Sequence, residues 1–199
     1  MLGDHVLKLV TVTIAIGVMV GTASAQAIPN APVPHQVEVG TNFVFCYPDY
    51  SPQKALGFGL FVDYDFNRHL AIALDYHHSY ILQHYDKETV YEVGPLYRVT
   101  RGSFSPYLKG AVGRGIYDFA AGEQANPLEG FTASQGNNSS GFTTLSFAGG
   151  LDAAVSHHLN LRAEAEYQRW FSGTNLGNGL TPILYTVGFA YQFNKGGTK

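Results

Sequence analysis

The eleven residues Ile183-Leu-Tyr-Thr-Val-Gly-Phe-Ala-Tyr-Gln-Phe193 constrain the fold of this chain more than any other stretch. Ile183, Tyr185, Val187, Phe189, Tyr191 and Phe193 fall on one side of a two-residue period, and Leu184, Thr186, Gly188, Ala190 and Gln192 on the other. A period of two over this length is the signature of a β-strand. The first face is large and aromatic, the second mostly small or polar. A water-soluble barrel hides its large residues inside. The reverse distribution turns the greasy face outward, towards lipid.

The other end of the chain points to export. Leu9-Val-Thr-Val-Thr-Ile-Ala-Ile-Gly-Val-Met-Val20 is an unbroken apolar stretch after a short start whose only basic side chain is Lys8. Ala23-Ser-Ala25 offers a small-x-small cleavage site, and Ala25-Gln-Ala27 a second. A membrane helix needs about 20 apolar residues, so residues 1–25 read as a cleaved signal peptide, with a retained anchor as the alternative. No Cys follows the site, which argues against a lipoprotein. Residues 26–35 form a Pro-rich, extended leader, and 194–199 a polar tail.

Between them lies material for one domain of roughly 170 residues including the leader. Charged residues make up 14% of the chain, against about 25% in soluble proteins. A net charge of −3 argues against nucleic acid as a partner. Cys46, the only cysteine, excludes an internal disulfide and a cysteine metal cluster. We expect it to be a small residue at the top of a strand. Nothing in the sequence calls for a cofactor or a metal.

Strand-like segments recur at 36–46, 56–66, 69–79, 88–99, 106–118, 142–155, 159–170 and 183–193. The number is even, and each has about the 9–11 residues of a tilted membrane strand, or slightly more. Short polar connections at 67–69, 100–105 and 156–158 alternate with longer ones at 48–54, 80–87, 119–141 and 172–182. That alternation separates periplasmic turns from external loops. The expected fold is all-β: an eight-stranded antiparallel transmembrane β-barrel over residues 36–193.

Phase assigns the faces. Phe58, Leu60, Val62, Tyr64 and Phe66 face lipid, while Phe61, Asp63 and Asp65 face inward. Leu70, Ile72, Leu74 and Tyr76 lie outside Ala71, Ala73, Asp75 and His77, and Leu159, Leu161 and Tyr167 outside Asn160, Arg162, Glu164, Glu166 and Gln168. Glu38, Glu92, Arg98 and Asp152 also point into the lumen. In the fifth segment Tyr107 and Lys109 share the inner face, but Arg114 falls on the outer one. Either Arg114 lies high enough to reach the interface, or a bulge near Gly110 or Gly113 resets the phase.

An eight-stranded barrel is only just wide enough for its own side chains, so its charges must pair. Asp152 and Arg162 are equidistant from the turn at 156–158 and therefore face each other. With Glu38, Asp63, Asp65, Arg98 and Lys109 they are expected to form a mixed-sign belt near the periplasmic end. Asp75, Glu92, Glu164 and Glu166 lie higher and make the mid-lumen acidic. Two functions follow: a structural polar plug, or a narrow cation-preferring pore. Tyr47, Tyr80, Tyr97, Tyr107, Tyr117, Trp170 and Tyr185, at strand ends, are candidates for interfacial girdles. His157 and His158 sit in a turn and read as solvated.

Ala148-Gly-Gly-Leu-Asp-Ala-Ala-Val-Ser-His-His-Leu-Asn-Leu-Arg-Ala-Glu-Ala-Glu-Tyr167 resembles the penultimate hairpin of small OmpA-like outer-membrane β-barrel proteins, with Gly149, Gly150, Asp152, Leu159, Leu161, Arg162 and Glu164 matching. Tyr91-Glu-Val-Gly-Pro-Leu-Tyr-Arg98 resembles that family's fourth strand through Gly94, Pro95 and Arg98. Thr186, Gly188, Tyr191 and Phe193 resemble the insertion signal of outer-membrane barrels. The resemblance covers about residues 36–193. It implies a cell outer membrane location, contact with outer-membrane lipid and with the barrel-assembly machinery during insertion, and a structural, adhesive or minor transport role. We expect a monomer whose external ligand, if it has one, is met by loop 119–141. No peptidoglycan-binding domain is expected after residue 193, so a wall-tethering role is not expected.

An enzymatic role is not expected, although His77-His-Ser79 is similar to the His-x-Ser pair of outer-membrane lipid A deacylases, with Glu88 or Glu92 available to orient the imidazole. Tyr80 stands where that family has Asn. The pair shares a face with Ala73 and Asp75, which turns it into the lumen and away from lipid.

Overall fold

The computed structural model describes residues 34–49, 54–81, 86–118, 139–171 and 180–193. The expected signal peptide, most of the expected leader, residues 119–138 and the expected tail lie outside them. Eight strands follow one another: β1 (Gln36–Tyr47), β2 (Ala55–Asp65), β3 (Leu70–Ile81), β4 (Lys87–Arg98), β5 (Phe104–Asp118), β6 (Ser139–Ala154), β7 (Leu159–Phe171) and β8 (Ile183–Phe193). Each pairs antiparallel with its neighbours in sequence, and β8 returns to β1, from Val37–Phe193 to Tyr47–Ile183, to close the barrel. Closure leaves no sheet edge with unpaired amides, the condition for crossing a bilayer with strands.

The faces are those the alternation predicts. The outer wall exposes Phe43, Leu74, Leu108, Val112, Phe147 and Phe189, while Asp63, Asp65, Asp75, Arg162, Glu164 and Glu166 are buried in the lumen. Outside in water, that wall would be a liability. Against acyl chains it is the anchoring surface. Aromatic pairs rim both ends: Tyr47 with Tyr185 at the external end, ring centroids 5.7 Å apart, and Tyr191 with Phe193 at 4.8 Å at the periplasmic end.

Two periplasmic turns share one design. Asn67 Oδ1 accepts hydrogen bonds from the backbone N–H of His69 and Leu70, and Ser156 Oγ does so from His158 and Leu159. A short polar side chain thus satisfies amides that the ladder has released. His69 and His158 then reach the backbone oxygens of Arg98 and Gln192 on the next strand, both at 3.1 Å. His158 is solvated, as expected, but it is also fixed to β8 and stacked on Tyr191. The third turn is tighter. Gly102, at φ 62°, takes the left-handed conformation that lets Arg101 and Phe104 exchange backbone hydrogen bonds.

Strand β5 keeps one phase throughout. Val93 pairs with Val112 and Leu96 with Lys109, so the register is the same on both sides of an unpaired step at Gly94 and Pro95. Proline has no N–H to donate, which interrupts the ladder without inserting a residue. The bulge considered from sequence is absent. Arg114 is exposed on the outer wall, and its guanidinium lies over Gly141, two pairs further towards the external end.

This division of faces makes a quantitative prediction. Phe189→Arg, on the lipid face of β8, should lower the unfolding free energy in liposomes by about 2–4 kcal/mol if it sits at the midplane. Ala190→Ser, one residue on and facing the lumen, should shift it far less. Urea titration followed by Trp170 fluorescence measures both.

Candidate functional site

The functional candidates converge on the lumen, which is filled in layers. At the external mouth Val44, Cys46, Ala55, Ile81, Val90, Tyr117, Phe142, Trp170 and Leu184 form one buried apolar cluster, with Leu180 against it. Trp170, Tyr117 and, lower down, Tyr107 were candidates for the girdle. They point inward instead, because they share the phase of Gln168, Gly115 and Lys109 on their strands. Tyr47, Tyr80, Tyr97 and Tyr185 are exposed outside, as a girdle requires.

Glycines make room for these rings. A methyl group at Gly115 would strike Trp170, at Gly40 the Phe61 ring, and at Gly150 the Tyr107 ring. Gly40 pairs directly with Phe61 and Gly150 with Tyr107. Large and small residues thus alternate across a narrow interior, the arrangement that fills it without voids.

Below the apolar layer a single cation organises the middle. Lys109 Nζ lies 3.1 Å from Asp75, 2.9 Å from Glu164 and 3.2 Å from Glu166, joining β5 to β3 and β7. Hydrogen bonds extend this centre along β7: Trp170 Nε1 donates to Gln168 at 2.8 Å, and Gln168 Nε2 to Glu166 at 2.6 Å. Tyr107 donates to the far oxygen of Glu164 at 2.7 Å. Glu92 accepts from Ser146 at 2.9 Å. Counting residues from the turns assigns Lys109 to the periplasmic belt. The stagger of a closed barrel raises it into the middle layer, since levels shift from strand to strand.

The belt below it contains the two arginines. Arg162 holds Asp152 through two bonds, Nε to Oδ1 at 2.6 Å and Nη2 to Oδ2 at 2.9 Å, and reaches Asp63 at 2.7 Å and Glu38 at 3.4 Å. Arg98 bridges Glu38 at 3.2 Å, Asp63 at 3.0 Å, Asp152 at 3.5 Å and Asp65 at 3.7 Å. Arg162 lies between two rings, its Cζ 4.1 Å from the Phe61 centroid and 4.9 Å from that of Tyr107. Five strands, β1, β2, β4, β6 and β7, are tied across the lumen by two side chains. The expected pairing of Asp152 with Arg162 is present in the register itself.

Carboxylates outnumber cations. Among the described residues Glu38, Asp63, Asp65, Asp75, Glu88, Glu92, Asp152, Glu164 and Glu166 are buried in the lumen, against Arg98, Lys109 and Arg162. Glu88 is an addition to the expected set. It sits beside the apolar layer and accepts from Ser79 at 3.4 Å and from the thiol of Cys46 at 3.5 Å. Its parity on β4 matches Glu92, which is the signal that identifies it.

His77 and Ser79 are both buried on the lumen side of β3. Ser79 donates to Glu88, and neither ring nitrogen of His77 has a hydrogen-bond partner. The pair therefore does not face lipid. Of the insertion-signal residues, Thr186 and Gly188 face the lumen, and Tyr191 and Phe193 lie exposed on the periplasmic rim. No described cluster of His, Cys, Asp or Glu has metal-binding geometry.

The surplus of carboxylates gives these charges unequal weight. Lys109→Met strands three buried carboxylates and should destabilise the barrel by about 3–5 kcal/mol. Asp75→Asn or Glu164→Gln reduces the surplus and should cost markedly less. Urea midpoints of the three variants, read by heat-modifiable gel mobility, test the asymmetry.

The comparisons with known proteins agree with this architecture. Residues 13–193 match the family model described as the outer membrane protein beta-barrel domain. Among solved structures, Neisserial surface protein A is 17% identical, with 79% of this chain and 96% of that chain covered at a TM-score of 0.57. OprG of Pseudomonas aeruginosa is 16% identical, covering 83% and 99% at 0.53, and the N-terminal β-barrel domain of OprF of the same organism 13%, covering 81% and 100% at 0.52. These likenesses carry the fold alone. The search of curated protein sequences finds no match. With the closed eight-strand topology, the lipid-facing wall and the family model in agreement, the chain belongs to the outer membrane protein β-barrel domain family.

Proposed function

We propose that the protein is a closed barrel with a structural and surface-interaction role in the outer membrane, not a pore and not an enzyme. The observation that carries this reading is the filling of the lumen. A buried apolar layer around Trp170 and Phe142 caps a middle layer centred on Lys109, which in turn rests on the Arg98–Arg162 belt. A hydrated ion has no continuous polar path through such a stack, because passing Trp170 strips its water without replacement ligands. The rigid barrel then serves to present its external connections. The long segment 119–138, rich in Ala, Gly and Asn, has the composition and reach to meet a ligand outside the cell. Export through cleavage after residue 25 belongs to the same reading.

A second reading rests on a specific feature. The surplus of carboxylates, with unpartnered oxygens on Asp63, Glu88 and Glu92, is the lining that a narrow cation-preferring channel would use. It requires the apolar layer to move aside.

Planar-bilayer recording of the mature chain separates the two. The closed barrel should give folded, heat-modifiable protein without stable conductance steps. Cation-biased steps that weaken in Glu164→Gln/Glu166→Gln would replace it with the channel. Ser79→Ala should leave the acylation of co-expressed lipid A unchanged, since the hydroxyl faces the lumen.

A further inference from the structure

The layer at the external mouth is not apolar across its whole width. Trp170 and Phe142, which exclude a hydrated ion, stand on β7 and β6. On the β3–β4 side, Ser79 and Glu88 pair directly across the ladder, and both are buried. Ser79 Oγ donates to Glu88 at 3.4 Å, and the Cys46 thiol does so at 3.5 Å. The next lumen-facing residue down β3 is His77, and the one after it is Asp75, a partner of Lys109. A thread of side chains that exchange protons thus passes the apolar layer on one side and reaches the middle of the lumen.

His77 is the central member of this thread. It is 2% exposed, and neither ring nitrogen has a hydrogen-bond partner. A neutral imidazole carries one N–H donor and one bare acceptor, so both functions are available here. Its neighbours across the ladders are Gly59 and Val90, whose side chains form no hydrogen bonds, and a methyl group at Gly59 would strike the ring. The titratable groups around it are Glu88 and Cys46 above and Asp75, Glu92, Glu166 and Lys109 below, with Glu166 in electrostatic reach of the ring. Unpartnered acceptors stand on both levels: Glu88 Oε1 above, Glu92 Oε1 below, and Asn42 Oδ1 beside the ring across Gly59. Polar atoms so placed are the partners that internal water requires.

The same chemistry continues to the periplasmic end. Lys109 joins Glu166 to Glu164, and Tyr107 bonds Glu164 above the belt. In the belt Glu38, Asp63, Asp65 and Asp152 outnumber Arg98 and Arg162. Its net charge is therefore negative, and it lacks the cationic barrier with which an unbalanced arginine repels protons. Asp65 ends β2 at the periplasmic mouth.

We propose that the barrel, closed to hydrated ions as argued above, conducts protons along this thread with His77 as the relay. A proton from the Glu88 level binds the bare ring nitrogen, and the imidazolium releases its other proton towards Glu92 and Glu166. Rotation of the ring, which no hydrogen bond holds, restores the first tautomer. Only N–H and O–H bonds form and break, and no opening as wide as a hydrated ion is needed. Internal water carries the proton between groups that lie beyond hydrogen-bond distance.

The refolded chain is placed in liposomes loaded with the pH indicator pyranine, and an outward potassium gradient with valinomycin drives protons inward. A potassium-sensitive dye, used without valinomycin, reports any potassium leak. Wild type should acidify the vesicles about ten-fold faster than protein-free vesicles do, with no potassium leak. His77→Gln and Glu88→Gln should each abolish most of the added proton flux while keeping heat-modifiable mobility. Proton flux no faster than in protein-free vesicles would overturn the relay and leave the closed barrel standing. Potassium moving with the protons would overturn both. Folded His77→Gln that conducts like wild type would also overturn the relay, and if that variant does not fold, Glu88→Gln decides in the same way.

Discussion

Closing eight strands on themselves leaves an interior that cannot hold both its side chains and bulk water. Every inward position must then be filled, and every inward charge needs an opposite charge or hydrogen-bond donors within the barrel. Arg162 meets this constraint most fully. It is bound by two hydrogen bonds to Asp152, touches Asp63 and Glu38, and is enclosed by Phe61 and Tyr107. A guanidinium is suited to this position because its planar fork serves several acceptors while its faces remain weakly hydrated. Burying such a charge is expensive in isolation. Its expense is offset here because the acceptors come from β1, β2 and β6, so the same contacts also fix how the wall closes.

The glycines follow from the same constraint. Phe61, Tyr107 and Trp170 occupy a space that is too narrow for a residue with a side chain opposite each of them. Gly57, Gly94, Gly113 and Gly188 answer a different need. A methyl group there would meet the backbone of a neighbouring strand, so these positions permit the sharp coiling that a small barrel imposes. The abundance of glycine in the chain is thus a consequence of barrel size as much as of loops.

Strand number, order and facing were legible in the sequence because lipid and lumen demand opposite polarity, and the period of two records that demand at each residue. Asp152 and Arg162 were legible as a pair because both lie on one hairpin, where counting from the turn fixes the height. Lys109 was not, since its partners Asp75 and Glu166 belong to other hairpins, and height there depends on the stagger of the closed barrel. Trp170, Tyr117 and Tyr107 show two cues in conflict. Their nearness to strand ends suggested the girdle, but their parity with Gln168, Gly115 and Lys109 placed them inside. Parity is the stronger cue, because reversing it would carry the whole strand to the wrong face.

The two kinds of arginine in this barrel express one electrostatic rule. Inside, Arg98 and Arg162 are surrounded by carboxylates of the chain itself, and the lattice they form closes the interior. Outside, Arg114 has no acidic partner among the described residues, and it occurs where the wall meets the outer leaflet. A cation in a medium of low polarity needs a counter-charge, whether protein or solvent supplies it. For a wall residue the solvent is the membrane, and in its upper part the available anions are head-group phosphates. The interior charges therefore fix the shape of the barrel, while the exterior ones take their counter-charges from the medium around it.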